Sequence, residues 1–516
     1  MCQNSATFLI LYKVTMKTRA VITVTILTLV LASPAYAMTN QQARQLTVAA
    51  VKGNTVDLTK LAKSANSGDA NAQNWFGIYF ISINSYAKAG YWFQMAADQG
   101  NAGAESGLGW AYHHGHGVPQ DYAKADYWFQ KAADQGNAGA ENSLGWSYYY
   151  GHGVPQDYTK AVYWYTKAAK HGLPQAENNL GAAYYYGQGV PQNYTKANYW
   201  FQKAANQGDA DAEFILGVNY TKGKGVPQDN AKAAYWYLKA VDQGNTNAKY
   251  SLGWVYYKGQ VVRQNYAKAN YWDQKAADQG NSNAENSLGD AYYYGEGVPQ
   301  DYTKAVYWYK KAADQGNADA ENSLGWAYDN GLGVPQDYAK AVYWFPKAAQ
   351  QGVADAEYNL GAAYYYGQGV PQNYTKANYW YTKAAKHGLP QAENSLGETY
   401  YYGEGVPQDY TKAVYWYQKA AQQGVADAEL SLGWAYDNGQ GVPQNYAKAV
   451  YWYKKAADKG NATAEDDLGN AYYHGQGVPQ DSMKAVYWWK KAAAQGGKAG
   501  ELAKRNIKIT EHGSLE

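Results

Sequence analysis

Residues 137–172 read NAGAENSLGWSYYYGHGVPQDYTKAVYWYTKAAKHG, and this pattern returns every 36 residues along most of a 516-residue chain. The dipeptide Tyr-Trp places Trp at 92, 128, 164 and onward to 488 in that step, and Leu-Gly keeps the same register from Leu108 to Leu468. Eleven complete copies fill 101–496 without an insertion. Self-similarity at such a period marks an array of small units, each of which buries its apolar face only by stacking on its neighbours. A length that would otherwise suggest several domains is therefore read as one unit repeated.

Each copy divides into two helices by local rules. Asn101 is a good N-cap, and Pro174 and Pro390 stand at the first helical position of two copies, where a missing N–H is harmless. The first helix ends at Gly115. The segment Gly115-x-Gly117-Val118-Pro119-Gln120 is a turn, because glycine accepts positive φ and Pro119 blocks a continuing helix. Asp121 caps the second helix, which stops at Gly136, the expected left-handed cap. Helices of ~13 to 15 residues suit antiparallel pairs.

Comparing copies separates fixed from free positions. Leu108, Gly109, Tyr112, Ala125, Tyr127, Trp128 and Ala132 recur in all eleven copies and are assigned to packing. Small Ala side chains let neighbouring helices approach while the large rings fill the gaps. The changing positions are 123, 126, 130 and 134 on the second helix, read as an outward stripe, and 106, 110, 113 and 114 on the first.

The string A-E-N-S-L-G-W-A-Y-Y-Y-G-x-G-V-P-Q-D-Y-x-K-A-V-Y-W-Y-x-K-A-A resembles the Sel-like repeat, the 36-residue relative of the tetratricopeptide repeat, over about 400 residues. The resemblance implies an all-α fold, a right-handed α/α superhelical solenoid whose first helices line the concave side. It also implies an adaptor that gathers other proteins, often at membranes or in bacterial envelopes. Relatives with one disulfide per repeat exist, and this chain, with Cys2 alone, is not of that type. Some units depart from the pattern. The turn Gln260-Val261-Val262-Arg263-Gln264 lacks the usual Gly and Pro, Pro346 lies inside a second helix and should kink it, and 69–100 is a degenerate first repeat. Residues 38–68 and 497–516 are expected to be capping segments.

At the N-terminus, Met16-Lys17-Thr18-Arg19 precedes the apolar run AVITVTILTLVLA and then Ala35-Tyr36-Ala37. This is the layout of a cleavable secretory signal over 16–37, with 1–15 an upstream extension. The competing reading, a permanent transmembrane helix, is disfavoured by the short apolar run. Cleavage after Ala37 would leave a mature chain without thiol or transmembrane anchor, periplasmic or secreted in a bacterial envelope. It would also remove Lys13, Lys17 and Arg19, taking 45 basic residues to 42 against 43 acidic ones. With only four Arg in the whole sequence, no nucleic acid partner is expected.

No catalytic constellation emerges, and no enzyme, cofactor or metal is assigned. Ser85-Tyr86-Ala87-Lys88 matches S-x-x-K, yet Ser85 occupies the helix-cap slot of Asp121, and no K-T-G or S-D-N accompanies it. His113, His114, His116 and His152 crowd neighbouring helix ends, where a metal site is conceivable beside the plainer reading of variable turn residues. Recurrent Glu105-type and Lys131-type residues are taken as solvated or ion-paired faces. The residue after Leu-Gly is more telling, since Trp110, Trp146, Trp254, Trp326 and Trp434 alternate there with Ala, Val, Asp, Glu and Asn. A ring needed for packing would not be exchanged for a carboxylate. Together with Tyr149, Tyr185, Tyr257, Tyr293, Tyr365 and Tyr401 one turn on, these Trp are placed on the concave face as contacts for protein or peptide partners. Half-burial between repeats is the competing reading for the Trp, and cell-wall glycan (peptidoglycan) is the alternative ligand.

Overall fold

The computed structural model describes residues 38–259 and 264–512; the expected signal at 16–37 and the turn at 260–263 lie outside the described residues, as do residues 513–516. Twenty-seven helices and no strand make up the described residues, an all-α solenoid of paired helices. The chain divides into two compact units, Met1–Gln264 and Asn265–Glu516. The first begins with Asn40–Val51 and Thr55–Asn66, continues as helix pairs from Ala70–Ser82 with Tyr86–Ala97, and ends on Thr246–Lys258. The second begins with Tyr266–Ala277, continues as pairs from Ser282–Tyr294 with Tyr302–Asp314, and ends on Ser482–Gln495 and Gly497–His512.

The local reading of a repeat holds atom by atom. Asn101 Oδ1 accepts from the Ala104 N–H at 3.0 Å and Asp121 Oδ1 from the Lys124 N–H at 3.0 Å. Gly115 is left-handed at φ 69°, and Gly136 is positive at φ 79°. The Gln of the Val-Pro-Gln turn fastens the turn back onto the first helix, since Gln120 Nε2 donates to the His113 carbonyl at 2.8 Å. Gly117 meets two demands at once. Its φ is +77°, and a Cβ there would overlap the Tyr86 backbone carbonyl of the preceding pair. That close approach sets the stacking of one pair on the next. Ser85 does occupy a cap position, but its side chain makes no capping bond. The helix Tyr338–Gln350 runs on through Pro346.

Leu108, Ala104, Ala111, Ala125, Ala132 and Ala133 are all buried, and Phe129 is the ring that fills the space they leave. It lies against Gly109, where an added Cβ would fall 2.6 Å from the ring. Glu105 is buried rather than solvated, and Gln135 Nε2 donates to it at 2.7 Å, tying the end of the second helix to the start of the first. In the next copies a lysine joins the same carboxylate, Lys167 at 3.7 Å from Glu141 and Lys311 at 3.3 Å from Glu285.

Two packing assignments are overturned. Tyr127 recurs in every copy, yet it is 54% exposed, and its equivalents are exposed as well. The second-helix ring that packs is the one two residues on, Phe129 or Tyr165. Tyr127 stands edge-on to Trp128 at 5.1 Å, with Lys131 Nζ 5.1 Å above its ring, a local surface stack rather than a core contact. Position 126, conversely, is not on an outward stripe. Asp126, Asn198, Val306, Asn378, Val414 and Val450 are all buried, each against the first helix of the following repeat. There the residue changes with its partner. Ser147 Oγ donates to Asp126, Asn219 Nδ2 to Asn198 and Thr399 Oγ1 to Asn378, whereas Val306, Val414 and Val450 share clusters with Ala327, Ala435 and Ala471. The position varies because a hydrogen-bonded polar pair and an apolar pair both fit the site, although Asn270, which bonds the Glu296 carbonyl, faces Ala291.

Candidate interaction face

In a first helix such as Ala102–His114, positions 104, 105, 108, 109 and 111 are buried, while 103, 106, 107, 110, 113 and 114 stay partly or fully open. The open positions are spaced three and four apart and so form one stripe. Within each unit, successive first helices touch one another directly as well as packing on their own second helices. Neighbouring stripes bond directly: Asn179 Nδ2 donates to Asn142 Oδ1 at 3.0 Å, and Trp434 Nε1 donates to Asp467 Oδ2 at 2.7 Å.

In the first unit Trp110 and Trp146 are half-buried in a knot of rings. Trp110 lies 4.9 Å from both His114 and His116, and Trp146 lies 4.9 Å from His113 and His152. His116 and His152 do not meet. Each stacks on a tyrosine, Tyr86 at 4.5 Å and Tyr122 at 4.8 Å. Burial, with His114 and His152 alongside, lowers the His113 pKa to about 4, so that its ring is neutral at pH 7. Among the described residues no group of three or more His, Cys, Asp or Glu side chains is arranged to hold a metal ion. Trp254 of the first unit and Trp326 and Trp434 of the second are each 37% exposed, half in a repeat junction and half in solvent.

The tyrosines one turn on divide. Tyr149 donates to Gln188 at 2.6 Å, Tyr365 to Glu404 at 2.6 Å and Tyr401 to Gln440 at 2.8 Å, while the Tyr185 hydroxyl accepts from Lys224 Nζ at 3.0 Å. The partner is in each case the residue between the two glycines of the next turn, so these rings link repeats as well as facing inward. Tyr293 lies 5.9 Å from Trp326, and Tyr257 is exposed. The most open rings of the face are Tyr150, Tyr186, Tyr294, Tyr366 and Tyr402, up to 66% exposed; they occupy the variable first-helix position 114 but were not among the rings named as contacts. Their signal was the third Tyr of the Tyr-Tyr-Tyr run, one residue before the glycine cap.

In the second unit Asn322, Trp326, Asp355, Tyr358 and Asn359 border a cleft of about 270 Å³ between successive first helices. A smaller one of about 130 Å³ is bordered by Asp437, Tyr453, Asp467 and Asn470. Both are lined by rings and hydrogen-bonding groups.

Comparison with known proteins agrees with this architecture. The Sel1 repeat model matches twelve successive segments, beginning with 74–101, 102–137 and 138–173 and ending with 462–497. The chain belongs to the Sel1 repeat family. The first matched segment is the copy that lacks part of its turn, so the family pattern extends through it. Among solved structures, the chain is similar to c5321, described as a protective antigen present in uropathogenic Escherichia coli strains displaying an SLR fold. The two are 38% identical, with a TM-score of 0.71 over 81% of this chain and 90% of that one. A Sel1 repeat protein from Oxalobacter formigenes is 35% identical, with a TM-score of 0.47 over 60% of this chain and 90% of that one. No curated protein matches. Sel1 repeat proteins generally act as non-catalytic scaffolds that bind other proteins, and no described helix here is long and apolar enough to cross a membrane.

Proposed function

We propose that this Sel1 repeat protein is an exported, non-enzymatic scaffold that binds protein or peptide partners through the inner face of its first helices. The observation that carries the reading is the variable, ring-bearing stripe set over fixed Leu108-type and Gly109-type packing positions, with Trp326 and Trp434 half in solvent. Aromatic residues that are half packed and half open are the usual anchors of protein contacts, because they bring large contact area with little side-chain entropy to lose. Export rests on the leader at 16–37, with the mature protein periplasmic or secreted in a bacterial envelope, and the antigenic character of c5321 supports it.

The test is capture of cross-linked partners from the native envelope by two variants. One carries Trp110→Ala, Trp146→Ala, Trp326→Ala and Trp434→Ala; the other carries Tyr127→Ala and Tyr307→Ala on the outer surface. Loss of the same partners from the first variant alone is expected. Unchanged capture by a folded first variant refutes the reading. Pelleting with purified cell-wall sacculi, abolished by the inner variant, would instead establish glycan as the ligand. Mass measurement of the exported chain is expected to show that it begins at Met38.

A further inference from the structure

The two units carry the same inner stripe with very different charge. In the five first helices from Ala102 to Lys258, the stripe holds one acid, Asp211, and two lysines, Lys222 and Lys258. In the six first helices from Ser282 to His474 there is no Lys or Arg at all, and each carries at least one carboxylate on the stripe. Every lysine between those limits lies in a second helix or, as Lys459, just after one. Across these six pairs the charge is thus divided by side, with carboxylates and no lysine on the first-helix stripe and the lysines on or just after the second helices; the terminal helix Gly497–His512 carries its own Lys and Arg. The mature chain as a whole is nearly neutral, so this is arrangement and not composition.

The rings are distributed in the same sense. On the outer helices the chain's own lysines cover them, as Lys347 Nζ does 4.4 Å above Trp344 and Lys383 Nζ does 4.8 Å above Trp380. Among the described residues no lysine covers Trp326, Trp434, Tyr366 or Tyr402 on the inner side. The inner face therefore offers uncovered aromatic faces beside uncompensated carboxylates, with Asp355 at the mouth of the cleft bordered by Trp326 and Tyr358. An apolar wall with a carboxylate at its rim matches a lysine or arginine side chain, whose stem is apolar and whose head is cationic.

We infer that the inner face of the second unit takes a basic, extended polypeptide segment, its lysines or arginines seated between the rings and the carboxylates. This rests on the inner-face reading given above and names the class of its partner. The carboxylates themselves favour such an occupant. Burial, then Asp319 and Glu296, push Asp290 up to about 6, and burial, then Asp466 and Asp437, push Asp467 up to about 7. An incoming cation relieves that crowding.

The test uses the full chain and fluorescein-labelled peptides in anisotropy titrations: a lysine decamer, a glutamate decamer and a neutral Gly-Ser decamer. The lysine peptide is expected to bind, more weakly at high salt, and the other two not. The triple variant Asp319→Asn, Asp355→Asn and Asp427→Asn, all at exposed positions, is expected to weaken binding about tenfold. The variant Asp314→Asn with Asp458→Asn removes acids that pair with Lys310 and Lys454 on second helices, and should leave affinity unchanged. Circular dichroism confirms that each variant is folded. Equal binding of the lysine and glutamate peptides, or equal losses from inner and outer variants, overturns the inference. If the Trp variant loses its captured partners while the lysine peptide does not bind, the face is a docking site and the basic occupant is wrong. If the peptide binds and capture ignores the inner Trp, the proposed function fails instead.

Discussion

The buried pair Asn378 and Thr399 allows the packing logic to be tested without reference to function. Thr399 Oγ1 donates to Asn378 Oδ1 at 2.7 Å, and Asn378 Nδ2 donates to the Glu404 carbonyl at 2.6 Å; both side chains are buried. One repeat along, Val414 and Ala435 occupy the same two places. Thr399→Ala leaves the Asn378 carbonyl oxygen buried without its donor, which should cost about 1–3 kcal/mol. Asn378→Val deprives Thr399 of an acceptor and Glu404 of a donor, for a similar cost of about 1–3 kcal/mol, softened because Thr399 also donates to the Leu396 carbonyl. The double variant recreates the valine–alanine solution and should return to within about 1 kcal/mol of the parent, giving a coupling energy of at least about 1 kcal/mol. Because long repeat arrays unfold in stages, the suitable assay is amide exchange in Tyr374–Lys386 and Pro390–Tyr402, supported by thermal scans. If the double variant loses the sum of the two single losses, the pair is not a coupled buried site and the account of position 126 is wrong.

Two further predictions concern the core. Asp273 stands where the other repeats have Phe, Tyr or, in the last, Trp; it is 6% exposed, one of its carboxylate oxygens has no partner, and burial pushes its pKa from 3.8 to about 8. A carboxyl raised in the folded state stabilises fully below the unfolded pKa and progressively less as pH rises toward 8, so this helix should lose up to about 4 kcal/mol between pH 3 and 7. Asp273→Asn should flatten that dependence in amide exchange of Tyr266–Ala277, and Asp273→Tyr should raise the melting temperature at pH 7; an unchanged pH profile in Asp273→Asn removes the argument. Gly361→Ala would set a Cβ 2.6 Å from the Tyr381 ring and 3.3 Å from the Ala377 carbonyl oxygen, and should destabilise by about 1–3 kcal/mol in denaturant titrations, whereas Gly352→Ala, which meets no neighbour, should cost only its φ of +86°.

The period and the Gly, Pro and Asn punctuation made the helix pairs legible, because caps and turns obey rules confined to a few residues. What the sequence hid was set by contacts between repeats. Tyr127 is as constant as Leu108 but points outward, so constancy among copies of one chain does not report burial: a duplicated unit carries its surface along with its core. Position 126 is the converse, a buried site that varies because its partner one repeat later varies with it. That the Trp110-type positions would stay partly open was legible from their exchange with carboxylates, although the rings are half-buried. The more open tyrosines such as Tyr366 lie at position 114 of that same variable face, but the spacing alone did not show that they would be more exposed than the Tyr one residue before.

These two kinds of variation have different physical consequences. Exchange at 126 and its partner conserves satisfied burial, so it can drift through the array without altering what the surface presents. Exchange on the first-helix stripe leaves the Leu108-type and Gly109-type residues beneath it fixed, and although Leu430 and Asp466 on the stripe are themselves buried, most of its effect appears in the charge and ring content of the open face. The neutral-to-basic stripe of the first unit and the acidic stripe of the second are therefore differences that packing did not require. A 36-residue frame that folds the same way with Asp290, Trp326 or Ala362 at one position leaves that position to be decided by whatever the face must hold.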